Sequence, residues 1–392
     1  MDITHVTHLY RPSIGGIENY VHRLAESHRA AGHDVSIVTT DASLENGDSP
    51  LDPERDVTYC DTTVNLFRNP VSVELYRTLS ASDPDLCHLH SPYFLPSVEA
   101  AAALPRDVPT VLTVHGFPPD RSWLTRLRNR AYRPVGQYVL NRVDRTIVLG
   151  DSERRRLLDR FDVPPGSVRV VPNGIHPDEH DVPESAVEAF RSNYGVDPDT
   201  PTLLYVSRLV ESKQPWVLVD TVREELPGVE MDVLMVGHGE DEVLSELRSR
   251  ADDRVQFISN LPYESLQAAY HAADLFVHLS LSEGLSTVVL EAMNARLPIV
   301  STPAGGLADA LSHGETGWVL GSPPQTGEVG TAIRTYLDDH DLRKQIGEHN
   351  RTYVREGYDW ADIASRIESV FYGVVDVGRK PRAPGVAPPT YG

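Results

Sequence analysis

The chain has 392 residues, with 57 acidic against 36 basic side chains and a formal charge of −21 at pH 7. A field of that sign repels nucleic acid and excludes general phosphate-backbone binding as the function. The length exceeds one compact core, and a 40% hydrophobic composition is enough to give each of two α/β domains a core of its own.

Apolar runs and helical periodicities alternate from the N-terminus. Residues 3–9 read as a strand and Arg11-Pro12-Ser13-Ile14-Gly15-Gly16 as a turn. Ile17, Tyr20, Val21, Leu24, Ala25 and His28 then follow at helical spacing. Gly32 stops that helix and 35–40 form the next strand, a βαβ opening that implies a parallel sheet. Further strands are predicted at 86–90, 110–114, 146–149 and 168–171, within a first domain over 1–178. Between Asn173 and Asp199 the pattern dissolves into Pro, Asp, Glu and Gly, as a linker would. A second series follows at 202–206, 233–236, 255–258, 275–279, 298–301 and 318–320, within a domain over 179–359. A last helix over 360–375 is expected to pack back on the first domain, and the Pro- and Gly-rich tail 376–392 to be disordered. The predicted fold class is α/β, with two doubly wound, Rossmann-like domains facing a central cleft.

In open parallel sheets, ligands bind beyond the carboxyl ends of the strands, which directs attention to the loops there. Gly15 and Gly16 lie between the first strand and first helix, where the backbone can approach a diphosphate and helix amides favour an anion. The pattern is not a GxGxxG dinucleotide fingerprint, and a plain turn is the alternative. In Ser207-Arg208-Leu209-Val210-Glu211-Ser212-Lys213, Arg208 offers a planar fork to phosphate and Lys213 a point charge. Lysine otherwise occurs only at Lys344 and Lys380, and such an acidic, lysine-poor composition fits a halophilic protein. The strongest signal is Glu283-Gly284-Leu285-Ser286-Thr287-Val288-Val289-Leu290-Glu291. Gly284, Leu285, Ser286 and Thr287 place backbone N–H groups at a helix start, between two carboxylates able to accept sugar hydroxyls. Glu291, among apolar neighbours, needs partners to offset its burial. His88 and His90 share a strand face beside Cys87. No fourth ligand accompanies them, so they read as a core or cleft-edge strand and no metal is expected. Cys60 and Cys87 give no disulfide framework and fit a reducing compartment.

In order and spacing, these segments resemble the group 1 glycosyltransferases, family four of the retaining GT-B enzymes. Val171-Pro172-Asn173-Gly174-Ile175 matches the hinge-side motif. Glu291-Ala292-Met293 with Leu297-Pro298-Ile299-Val300 matches the downstream continuation, and Trp360-Ala361 the opening of the last helix. The resemblance extends to about Val375. It implies a GT-B fold and sugar transfer from a UDP- or GDP-sugar to a lipid-linked or glycan acceptor, with retention of configuration. In that family the residue matching Glu283 contacts donor-sugar hydroxyls and the one matching Glu291 holds the ribose. Those matching Arg208 and Lys213 bind the diphosphate, helped by the glycine pair. His115, followed by Gly116, matches a histidine close to the transferred sugar. Glu283 and His115 are therefore the expected catalytic residues. Gly237, His238 and Asn260 match loops that approach the nucleotide. No cofactor or metal is implied, since cationic side chains and helix ends act on the leaving diphosphate and the nucleotide-sugar is a substrate. Ser207, Gln214 and Ser286 stand where glycine, glycine and proline are common, and leave the donor open.

The segment 121–145 carries seven arginines (Arg121, Arg126, Arg128, Arg130, Arg133, Arg142 and Arg145), opposed only by Asp144. With Trp123, Leu124, Leu127 and Ala131 on one helical face, it reads either as a membrane-surface element or as a solvated helix. The chain shows neither a basic-then-apolar leader nor an apolar run of membrane-spanning length, so the expected location is cytoplasmic, with peripheral contact at the cytoplasmic membrane face under the first of these two readings. Two other functions fit the pattern: a nucleotide-sugar 2-epimerase of the same fold, and a catalytically silent glycan- or nucleotide-binding protein. The presence of Arg208, Lys213, Glu283 and Glu291 together argues against the silent protein.

Overall fold

The computed structural model describes residues 1–13, 15–44, 56–66, 69–118, 123–259 and 261–378. Two parallel sheets organise them. The first half holds β1 (Asp2–Val6), β2 (Asp34–Thr40), β3 (Val57–Cys60), an antiparallel pair β4 (Val64–Leu66) and β5 (Asn69–Val71), then β6 (Leu86–His90), β7 (Thr110–Val114), β8 (Arg145–Val148) and β9 (Val168–Val170). Its sheet runs β3-β2-β1-β6-β7-β8-β9. The second half holds β10 (Thr202–Val206), β11 (Asp232–Val236), β12 (Val255–Ile258), β13 (Leu275–His278), β14 (Ile299–Ser301) and β15 (Gly317–Val319), ordered β12-β11-β10-β13-β14-β15. In each sheet the strand order reverses direction once, between β1 and β6 and between β10 and β13. Those crevices are where such sheets bind ligands. The loops after β1, β10 and β13 carry Gly15-Gly16, Arg208 to Lys213 and Glu283 to Thr287.

Both sheets are covered on two faces. Leu203 and Tyr205 of β10 enter one apolar layer and Leu204 and Val206 the opposite one, the period of a strand buried on both sides. In β1, Ile3 and Val6 part in the same way. The helix Trp360–Gly378 lays Trp360, Ile363, Ile367, Phe371 and Val374 against the layer formed by Ile3, Tyr20, Val21, Leu24 and Ile37 of the first half. The Trp360 indole Nε1 donates to Ser27 Oγ at 2.9 Å, so the ring is buried without an unsatisfied donor.

Several sequence expectations change. The first strand ends at Val6 rather than near residue 9: the chain leaves the sheet and Tyr10 turns into the core. The stretch 173–199 is not a bare linker. It contains a helix, Glu184–Tyr194, whose Val187 and Phe190, one turn apart, are buried in the core of the second half. The terminal helix continues to Gly378, past the expected start of the tail at 376; residues 379–392 lie outside the described residues. The arginine-rich helix covers Trp123–Leu140 only. Arg142 lies beyond it and points inward, donating to the carbonyls of Ala101 and Leu104 at 2.7 and 2.8 Å. Arg145 opens β8 and donates to Asp144 O. Arg121 lies outside the described residues.

Candidate active site

The loop leaving β13 is held from beneath. Thr302 Oγ1 donates to Ser280 O, and Ser280 Oγ donates to Ser282 O at 3.1 Å. This brings Glu283 back over the strand it follows, where His278 Nε2 meets its Oε1 at 3.0 Å. Lys213, from the loop after β10, forms an ion pair with the same oxygen. The pair is largely buried, with side-chain exposures of 13% and 14%. Burial pushes the Glu283 pKa up, but the His278 hydrogen bond and the Lys213 charge together overcome it and hold the carboxyl at about 2. Both donors use Oε1, so Oε2 has no partner among the described residues. An anionic oxygen is thus held in place, ready to accept a hydroxyl.

Gly284 lies where the halves meet. A Cβ there would fall 2.3 Å from His115 O, so only glycine permits this approach. Around it the halves touch through backbone and small side chains. Ser282 Oγ donates to Phe117 O at 3.2 Å, and Ser152 Oγ lies 2.8 Å from Gly305 O. Leu285 is buried, and Ser286 precedes the helix Thr287–Asn294 without a side-chain cap, which leaves the first amides of that helix to other partners.

Thr287 and Glu291, one helical turn apart, line a cavity of about 620 Å³ between the halves. Across it stand Tyr10, Gly16, Asn19 and Arg23. Burial raises the Glu291 pKa, an effect opposed by His180, Tyr270, Arg23 and Gln267 around it. Gly15 precedes the helix Gly16–Ala30 without a side-chain cap. Glu18 folds over this turn. Burial raises its pKa, while a hydrogen bond from its own backbone N–H and the Arg208 charge of the other half draw it down. The helix start proposed to meet a diphosphate therefore already faces one carboxylate.

The remaining loops frame this region. Gly237, at φ 152°, packs so closely that a Cβ would meet Ser207 O at 1.8 Å, and Leu209 N donates to His238 O at 2.8 Å. His238 and Arg208 are exposed. His115 is half-buried at the end of β7. Its Nε2 lies 3.1 Å from His90 Nδ1, the Tyr20 ring stands edge-on at 4.7 Å, and burial pushes its pKa down to about 3.

The family model Glycosyltransferase Family 4 matches residues 14–179, and the model Glycosyl transferases group 1 matches residues 186–353. The chain belongs to the group 1 glycosyltransferases. This glycosyltransferase is 25% identical to a glycogen synthase of Mycobacterium tuberculosis over 94% of both chains. It is 28% identical to a D-inositol 3-phosphate glycosyltransferase of Corynebacterium diphtheriae, covering 94% of this chain and 92% of that protein. In fold it is similar to HepE of Anabaena, solved in complex with UDP, with a TM-score of 0.79 at 19% identity over 95% of this chain and all of the other.

The structure of the glycosyltransferase sorts the residues singled out from sequence. Glu283, Lys213, Gly284 and His115 gather at the seam between the halves. Gly16, Thr287 and Glu291 share the neighbouring cavity, while the charge of the exposed Arg208 acts on Glu18. Gly237 and His238 lie beside the Arg208 loop, and Asn260 is outside the described residues. Sequence reasoning missed His278, whose only signal is a histidine closing an otherwise apolar strand, and Glu18, a carboxylate in the first turn after the glycine pair. His5, His88 and His90 bring three nitrogens within 4.8 Å of one another, a grouping that strand-local spacing did not reveal. Among the described residues, no helix is long and apolar enough to cross a membrane.

Proposed function

We propose that the enzyme transfers a sugar from a nucleotide-diphosphate sugar, with UDP or GDP as carrier, to a lipid-linked or glycan acceptor, with retention and without a bound metal. The observation that carries this reading is the cavity where Gly16 and the start of its helix face Thr287 and Glu291, with Lys213 and Arg208 supplying positive charge nearby. A diphosphate would lie along the two helix starts and the two cations. These stabilise the charge that develops as the sugar departs, the role a metal plays elsewhere. Glu291 would accept from the ribose hydroxyls, and Glu283 Oε2 from a hydroxyl of the donor sugar. Incoming phosphate would give Lys213 a second anion while it still holds Glu283. The bond from the anomeric carbon to the phosphate oxygen breaks as the acceptor oxygen attacks from the same face. The acceptor proton passes to the departing phosphate oxygen, so no protein nucleophile is required. HepE, the structural relative, has been solved with UDP and with UDP-glucose, which supports a nucleotide-sugar donor.

The acceptor side draws on the helix Trp123–Leu140. Trp123 and Leu127, one turn apart, are 67% and 58% exposed, beside the exposed Arg126, Arg128, Arg130 and Arg133. Apolar and basic groups together on one exposed helix suit an anionic membrane surface bearing the acceptor lipid. The low lysine content and the charge of −21 fit work in concentrated salt. A thermal-shift screen in high salt against UDP, GDP, ADP and their sugars, followed by transfer assays with the best ligand, tests the reading. A raised melting temperature for one nucleotide family is expected. Conversion of the donor to another sugar without acceptor, or no response to any nucleotide, would overturn it.

A further inference from the structure

Behind His115 stands a row of buried imidazoles that the chemistry above does not use. His115 follows β7, His90 ends β6 and His5 lies in β1, and these three strands are neighbours in the sheet. His115 Nε2 is 3.1 Å from His90 Nδ1, and His90 Nε2 is 3.2 Å from His5 Nδ1. The rings stack with centroids 5.3 and 5.5 Å apart. Each gap is the length of one N–H···N hydrogen bond. Burial lowers the pKa of all three histidines, so each ring is neutral and carries a single proton.

One proton per ring and one per gap make the row directional. Either all three protons sit on Nδ1 or all three sit on Nε2, because any mixture leaves a gap with no proton or with two. The far end decides between them. His5 Nε2 is buried without a hydrogen-bond partner. Protons on Nε2 would leave an unpaired N–H in the core; protons on Nδ1 leave only an unused lone pair. Orphaned buried N–H donors are the rarer fault in folded proteins. The protons therefore sit on Nδ1, and the Nδ1 of His115, which has no partner among the described residues, is a donor.

We propose that His90 and His5 are positioning residues that fix His115 as its Nδ1–H tautomer, presenting a neutral N–H donor to a sugar or acceptor oxygen in the cleft. The identity of that oxygen rests on the sugar-transfer reading; the tautomer does not. A metal held by His5, His88 and His90 would need lone pairs that the row already uses, since both nitrogens of His90 are engaged.

Long-range proton–nitrogen NMR on the full chain labelled with nitrogen-15 histidine reads the tautomers directly, with His115→Gln assigning the signal. His115 protonated on Nδ1 is expected in the wild type. Protonation on Nε2, or one tightly bound metal per chain, would overturn the proposal. His5→Leu removes the donor to His90 and should turn the His115 signal into a mixture of tautomers. With the nucleotide-sugar that binds, kcat should fall about tenfold, the worth of one hydrogen bond, at unchanged donor KM. His5→Gln restores an N–H at that position and should recover most of the rate. An unchanged His115 signal in His5→Leu would refute the coupling, and if that variant does not fold, the wild-type spectrum still decides. If no nucleotide-sugar is turned over, the proposed function fails while the spectrum still reports on the row.

Discussion

Replacing Glu283 with Gln removes the charge that faces Lys213 while keeping the shape of the side chain. Lys213, whose only ion-pair partner among the described residues is Glu283, would remain largely buried with an uncompensated charge. The Glu283 carboxyl is lowered from its ordinary 4.5 to about 2. At about 1.4 kcal/mol per pKa unit, that difference is worth about 3.5 kcal/mol of stability at neutral pH. Because the pKa is depressed on folding, the stabilisation is complete above 4.5 and disappears as the pH falls through 2. The gap between wild type and Glu283→Gln should therefore be about 3.5 kcal/mol at pH 7, about 2.5 at pH 4 and about 1.5 at pH 3. Urea denaturation of both proteins across this range, at fixed salt, measures it. A gap below about 1 kcal/mol at pH 7, or one that does not shrink on acidification, would refute the account of how Lys213 and His278 hold this carboxylate.

Glu18→Gln should tighten binding of the nucleotide diphosphate that the screen identifies, about two- to fivefold by calorimetry, because a negative charge leaves the helix start meant for phosphate. The Glu18 pKa is raised, so the advantage should fade as the pH drops toward that pKa and the wild-type side chain becomes neutral; weaker binding by the variant would contradict the reading. Trp360→Ala empties a fully buried site and breaks the indole hydrogen bond to Ser27, and should cost about 3–5 kcal/mol in chemical denaturation. A loss below about 1 kcal/mol would mean that the last helix contributes little to the first half. Changing Arg126, Arg128 and Arg130 together to Gln should weaken sedimentation with anionic vesicles at low salt at least tenfold, at about 1 kcal/mol for each basic side chain near the surface. Equal binding by the two proteins would remove the membrane proposal.

Much of the fold was legible because strands buried on both faces announce themselves as apolar runs, and because reversals of strand order place ligand loops at fixed points. Glu283, Arg208 and Lys213 could be singled out from those loops. What escaped were relations between residues distant in sequence. Nothing in the order of residues says that Lys213 and Glu283 hold each other, or that His278 shares the same oxygen. The helix Glu184–Tyr194 was hidden by the prolines and acidic residues around it, although Val187 and Phe190 carried its apolar spacing. Arg142 counted as surface charge until its guanidinium was found against two carbonyls where the helix Leu95–Ala103 ends. The partnership of His5 with His90 joins two strands that are neighbours in the sheet but far apart along the chain.

The return of the final helix to the first half also bears on the order in which the protein matures on the ribosome. Strands β10 to β15 emerge and can assemble before Trp360 is synthesised, whereas the layer containing Tyr20, Val21 and Leu24 waits for the helix Trp360–Gly378, which is made after them. The N-terminal half is thus begun before the second half and sealed after it. Nascent chains stalled ahead of Trp360 would present an open apolar face, the kind of surface that chaperones and proteases recognise.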